Sequence, residues 1–105
     1  MRSTAHVRTE SPGRYAKQLL SHLGRKAQAQ TFPSDATEAS EIAGGKLVFA
    51  DGDGVLEVVP GELTLHADAD TADGLAHVQD VLGRHLVRFG TRDELLVDWG
   101  DPVDH

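Results

Sequence analysis

The stretch KLVFADGDGVLEVV, residues 46–59, decides the fold. Two apolar, β-branched runs, 46–50 and 55–59, flank Asp51-Gly52-Asp53-Gly54, and Asp and Gly tolerate the positive φ that a tight hairpin demands. The spacing predicts an antiparallel pair with its turn at 51–54. Working outward, Pro60-Gly61 turns the chain into residues 63–70. Leu63, Leu65, Ala67 and Ala69 alternate there with Thr64, His66, Asp68 and Asp70, the period of a strand with one buried face.

A long helix follows. Thr71 is expected to cap it, with Asp73 in the first turn, where the helix dipole favours negative charge. Leu75, Val78, Leu82, His85, Leu86 and Phe89 make its inner stripe, and Gly90 ends it. On the N-terminal side, residues 27–32 (AQAQTF) read as a strand cut by Pro33. Residues 33–45, small, acidic and containing Gly44-Gly45, read as a long connection with at most a short edge strand. Ser11-Pro12 reads as the cap and first-turn proline of an earlier helix, with Tyr15, Leu19, Leu20 and Leu23 at helical spacing and an end near Gly24. The alternation at 5–9 predicts a short first strand and LLVDW, 95–99, a last one. Residues 1–4 and 100–105 are expected to fray. Two amphipathic helices need a sheet to cover. The expected architecture is therefore a single α+β domain over 1–105, two layers, with both helices packed on one face of an antiparallel sheet.

Composition narrows the function. The chain has 105 residues, enough for one core, and no cysteine, which removes disulfides, thiolate metal sites and thiol nucleophiles. No apolar run approaches the roughly 20 residues of a membrane helix, and MRSTAHVRTES lacks the apolar core of a secretory signal. A cytoplasmic protein with no membrane partner is expected. The formal net charge is −7, distributed unevenly: residues 1–26 carry six bases against Glu10, a balance of +5, and the rest carry four bases against sixteen acids, a balance of −12. Net acidity argues against a nucleic-acid partner, whose phosphates need neutralising.

Two rows of residues can carry chemistry. Arg14, Gln18, His22 and Arg25 or Lys26 recur at steps of three and four on the first helix, next to Tyr15, a row able to bind an anion or move a proton. The second helix ends in His85-Leu86-Val87-Arg88-Phe89, followed by Arg92. His22 and His85 lie on inner or flanking stripes and are expected to approach each other across the helix pair. Each feature has a plainer reading: a solvated basic face, a core histidine bonded to a carbonyl or carboxylate, and arginines paired with Asp93, Glu94 or Asp98. No histidine pair has the i, i+4 spacing of a helical metal site, and same-face residues along His66-Ala67-Asp68-Ala69-Asp70 lie too far apart to chelate well. Asp51-Gly52-Asp53-Gly54 fails as a calcium loop because Val55 and Leu56 stand where an oxygen ligand and the turn glycine belong. No tight zinc or iron site is expected. Nucleophile-elbow, phosphate-loop and dinucleotide signatures are absent.

Arg14-Tyr15-x-x-Gln18-Leu19-x-x-His22-x-x-x-Lys26 and His85-Leu86-x-Arg88-Phe89-x-x-Arg92-x-x-Leu95-x-Val97-x-Trp99, together with Ala5-x-Val7-x-Thr9, resemble a bacterial family, domain of unknown function 2218, over nearly the whole chain. Members of that family are small stand-alone proteins or domains attached to siderophore-interacting flavin reductases. The resemblance implies an accessory role in ferric-siderophore handling and no particular reaction. No flavin or nicotinamide motif occurs, so no cofactor is expected.

The first reading is a small binding or accessory module, not an enzyme, whose surface joins Arg14, Tyr15, Gln18, His22 and Lys26 to His85, Arg88 and Arg92. Its partner would be an anionic small molecule or a siderophore-interacting reductase. The second is a small enzyme using His22 or His85 as general acid or base. The third is a protein-interaction domain or homodimer in which the polar motif is structural. Facing histidines in a concave pocket favour the enzyme, an open basic groove the binder, and a motif consumed by internal salt bridges the third.

Overall fold

The computed structural model describes residues 1–25, 27–33, 42–90 and 95–103. Its elements are β1 (Arg2–Arg8), α1 (Pro12–Leu23), β2 (Gln28–Pro33), β3 (Ile42–Phe49), β4 (Gly52–Val59), β5 (Glu62–Asp68) and α2 (Ala72–Phe89). The strands form one antiparallel sheet in the order β1-β5-β4-β3-β2. Strands β2 to β5 are a meander, and β1 closes the far edge. Helix α1 therefore carries the chain across the full width of the sheet, from β1 to β2. It lies mainly over β3, whereas α2 covers β4 and β5. The architecture is the expected α+β arrangement.

The core lies between the helices and one sheet face. Leu47, Leu56, Leu63, Leu65, Val7 and Ala5 from the strands meet Tyr15, Leu19 and Leu23 of α1 and Val78, Leu82 and Leu86 of α2. The stripes read from periodicity are the buried ones, except that His85 and Phe89 at the end of α2 are half-buried. Thr71 caps α2 as expected, its hydroxyl accepting the Gly74 N–H at 3.0 Å. Ser11 makes no such side-chain bond for α1; its own N–H is held by the Thr9 hydroxyl at 3.1 Å instead. The Pro60-Gly61 turn forms as expected, with Gly61 at φ +72°.

The glycines correct the sequence reading. The turn between β3 and β4 is at Ala50 and Asp51 alone, since Phe49 already pairs with Gly52. Gly52 and Gly54 are strand residues, and so are Gly44 and Gly45, which were expected in a connection. Their conformational freedom is not what most of them supply. A Cβ on Gly45 would sit 2.6 Å from Leu20 Cδ1, one on Gly54 2.9 Å from Leu82 Cδ1, and one on Gly52 2.9 Å from Val78 Cγ2 and 2.6 Å from the Asp68 carbonyl oxygen. These positions clear the sheet face for the two helices. Gly44, at φ 154°, also faces the Leu56 carbonyl so closely that no side chain fits.

The C-terminal segment is the second correction. No regular strand forms at 95–99, and residues 100–103 are not frayed. The segment makes two isolated antiparallel bridges to β1, Ala5 with Trp99 and Arg2 with Val103. The interval is three residues on β1 and four on the segment, so the register slips by one and a regular ladder cannot propagate. Pro102, without an N–H, stands in the slipped interval. Backbone bonds hold both ends: Gly100 N–H to the Thr4 carbonyl at 2.9 Å, and Arg2 and Val103 in both directions at 2.7 and 2.9 Å. Nor does the N-terminus fray, because the Met1 ammonium donates to the Ala69 carbonyl at 3.0 Å.

The outer sheet face is polar, and its acids and bases pair. Arg2 meets Asp68 at 3.2 Å and Lys46 meets Asp53 at 3.6 Å. His66 bridges the Thr4 hydroxyl and the Glu57 carboxylate, both at 2.9 Å. Glu62 accepts from Thr64 at 2.7 Å and is bonded to His6 at 2.9 Å. The Thr64 hydroxyl first, then the His6 ring and the nearby Arg8 charge, hold the Glu62 carboxyl below its ordinary 4.5.

Two outcomes follow from this packing. Gly52→Ala should lower stability by about 1–3 kcal/mol, the usual cost of forcing atoms into a filled core; an unchanged urea midpoint would show that α2 does not bear on this strand. A carboxyl depressed in the folded state stabilises above its ordinary value, and that contribution is lost as pH falls through the folded value. Wild-type stability should therefore fall more steeply than that of Glu62→Gln as pH drops below 4.5, and parallel curves would remove the Glu62 contribution.

Candidate functional site

The last turn of α1 and the end of α2 converge. His22 lies one residue before the end of α1, and His85 and Phe89 lie in the last turns of α2. The expected approach of the histidines is present: their ring centres are 5.2 Å apart with the planes tilted by 46°. Phe89 closes the group, edge-on to His22 at 5.4 Å. The half-buried His85 ring is fixed by a 2.7 Å bond between Nδ1 and the Val81 carbonyl one turn earlier. A carbonyl only accepts, so Nδ1 carries the proton and, in the neutral ring, Nε2 keeps its lone pair. His85 thus has the carbonyl bond of the plainer reading as well as a ring facing His22. His22 is exposed.

A shallow depression of ≈ 450 Å³ lies beside this pair, lined by Arg14, Lys17, Gln18, Ser21, His22, Arg25 and Phe89. Five of the seven come from α1 and Arg25 from the turn that follows it, at steps of three and four along one flank. Arg14, Gln18 and His22 were expected there, with Arg25 named beside them. Lys17 and Ser21 were passed over, although their spacing from Arg14 and Arg25 is the same helical signal. Tyr15 does not join the surface row. Its ring is 1% exposed and belongs to the core. Its hydroxyl accepts from Arg14 Nη2 at 3.4 Å, and the guanidinium carbon lies 5.1 Å from the ring centre. Arg88 is exposed on the last turn of α2 and does not line the depression. Lys26 and Arg92, and the acids Asp93 and Glu94 offered as arginine partners, lie outside the described residues.

The electrostatics of this end differ from those of the sheet. Among the described residues, no salt bridge joins Arg14, Lys17 or Arg25 to an acid, whereas Arg2 and Lys46 each have one. The histidines divide in the same way. His6, His66 and His77 are each bonded to a carboxylate, of Glu62, Glu57 and Asp51. His22 and His85 have a ring contact instead. Helix C-termini carry partial negative charge, so two converging ends favour cationic side chains here. Among the described residues, no three His, Cys, Asp or Glu side chains are grouped to hold a metal ion. None of the described helices is long and apolar enough to cross a membrane.

A two-layer α+β domain with a shallow, basic depression along the flank of α1 is the class that the fold and site define. The chain belongs to the family described as uncharacterized protein conserved in bacteria (DUF2218), whose model matches residues 4–100. It is also similar to a solved structure, the NMR structure of PA4090 from Pseudomonas aeruginosa, at 33% identity over 94% of each chain with a TM-score of 0.70. No curated protein matches.

Arg14 tests whether this row is structural. It is exposed, and its hydrogen bond to the Tyr15 hydroxyl is long, at 3.4 Å. Arg14→Gln should shift stability by no more than about 0.5 kcal/mol, as surface substitutions do. A loss of about 3 kcal/mol or more in a thermal melt would instead mark a buried ionic clamp.

Proposed function

We propose that the protein is a binding module for an anionic small molecule, which it takes in the depression between Arg14, Lys17, Arg25 and His22. The observation that carries this is the cluster of three cations without an acidic partner among the described residues, on a chain whose formal net charge is −7. In so acidic a chain, bases left over from internal pairing create a local positive potential that draws anions. Arg14 and Arg25 supply planar donor forks for carboxylate or phosphate oxygens, Lys17 a point charge, and Gln18 and Ser21 directed hydrogen bonds. Phe89 gives the floor an apolar ring, which suits an anion with a hydrocarbon or aromatic part. The depression is open and shallow, which favours binding over catalysis.

The resemblance to domains joined to siderophore-interacting flavin reductases suggests a setting, with a catecholate- or carboxylate-rich molecule as ligand and a reductase as partner. A general acid–base role for the histidine pair is the second reading. It is favoured by the 5.2 Å ring contact and by the free lone pair that the Val81 bond leaves on His85.

Citrate, a tricarboxylate, is a direct probe. Calorimetric titration should show binding that weakens with added salt. Arg14→Gln and Arg25→Gln should each weaken it about tenfold or more, the effect of losing a charge-assisted hydrogen bond of roughly 1.5–3 kcal/mol. Equal affinity in wild type and both variants would overturn the assignment.

A further inference from the structure

We propose that His22 and His85 form a two-imidazole site for a divalent transition-metal ion that arrives already held in an anionic, coordinatively unsaturated chelate. The inference rests on the anion-binding reading above and names the ligand class for that site.

The histidines are selected by their surroundings. His6, His66 and His77 each have a carboxylate within 3.0 Å, which occupies a ring nitrogen. Among the described residues His22 and His85 have none, and their ring centres stand 5.2 Å apart. With metal–nitrogen bonds of about 2.0–2.1 Å, ring centres about 3.2 Å from the ion and ligand angles of about 90–109°, two imidazoles on one ion are separated by about 4.5–5.3 Å. The observed separation lies inside that interval before any ion is present. His85 also has the outer bond that metal-bound imidazoles need. Its Nδ1–H is fixed on the Val81 carbonyl at 2.7 Å, which sets the tautomer and leaves Nε2 as donor. Exposed His22 is free to adjust its ring toward the shared ion.

The same site is wrong for a bare ion. Among the described residues no third His, Cys, Asp or Glu joins the pair, so these residues offer two donors where a transition metal takes four or more. Arg14, Lys17 and Arg25 line the adjoining depression and repel a free dication. A chelator that fills the other positions with carboxylates resolves both problems. It supplies the missing donors, and its negative oxygens meet the three bases. Borderline ions such as Ni²⁺, Cu²⁺ and Zn²⁺ accept imidazole readily. A ferric complex whose six positions are filled by oxygen leaves none for it, so this ligand class is distinct from a saturated ferric siderophore.

The probe is nickel nitrilotriacetate, which carries one net negative charge and leaves two adjacent positions open. It is titrated into the full chain without an affinity tag, beside nitrilotriacetate alone and Ni²⁺ alone. The nickel chelate should bind once per chain and more tightly than either component. His22→Ala and His85→Ala should each weaken it by at least about tenfold, as loss of a ligand does. Nitrilotriacetate alone should ignore the histidine variants and weaken in Arg14→Gln and Arg25→Gln. Because His85 also bonds the Val81 carbonyl, the exposed His22→Ala is the variant whose folding is not at issue. The blue shift of the visible band of copper nitrilotriacetate on nitrogen ligation gives a second readout, absent in that variant. Histidine variants that bind the nickel chelate within about twofold of wild type overturn the inference, as does nitrilotriacetate binding as tightly as its nickel complex. In either case a persisting effect of the arginine variants leaves the anion site standing. If no probe binds, both readings fall.

Discussion

The structure depends on how closely its two helices can approach one sheet face. That face is cleared at Gly45, Gly52 and Gly54, where a Cβ would strike Leu20 of α1 and Val78 and Leu82 of α2, as well as the Gln30 and Asp68 carbonyls. With side chains there, the helices would ride higher and the leucine layer between them and the strands would open. Seated as they are, α1 covers β3 and α2 covers β4 and β5. The ends of the two helices then meet at His22, His85 and Phe89. The candidate site is thus a consequence of glycines on the opposite layer, none of which touches it.

Charge follows the same division of layers. On the outer sheet face, cross-strand pairing uses up bases and histidines alike: Arg2 on Asp68, Lys46 on Asp53, His6 on Glu62, His66 on Glu57. Among the described residues the flank of α1 has no such ladder of acids beside it, and Arg14, Lys17 and Arg25 line an open depression. Of the bases before residue 27, Arg2 and Arg8 lie on β1 beside acids, whereas Arg14, Lys17 and Arg25 line the depression on the α1 flank.

Much of this was legible in the chain, and the failures share a cause. Periodicity identified the buried stripes of both helices, Leu19, Leu20 and Leu23 and then Leu75, Val78, Leu82 and Leu86, because a helix buries one side wherever it packs. It also placed His22 and His85 on facing stripes. The Asp51-Gly52-Asp53-Gly54 run was misplaced as a turn because glycine signals two opposite things: freedom to bend, or absence of bulk. Only the helix overhead shows that Gly52 and Gly54 serve the second. Tyr15 reads both as part of the apolar stripe with Leu19, Leu20 and Leu23 and as a member of the surface row; most of its area is a ring, and the ring is in the core. Lys17, one position before Gln18, lines the same depression although the row of Arg14, Gln18 and His22 does not include it.

By itself the sequence determined the local elements, the two-layer class and the identity of the residues with chemical capacity, since these follow from short-range spacing and side-chain type. Which of those residues act together was decided only by the tertiary structure. Leu95 to Trp99 has strand-like composition, but whether it forms a ladder depends on the register that β1 offers, and that register slips by one between Ala5 and Arg2. The meeting of His22 with His85 is similarly nonlocal. It requires α1 to cross the whole sheet and α2 to return beside it, a geometry set by strand order and by the bulk missing at three glycines, neither of which any window of sequence around either histidine contains.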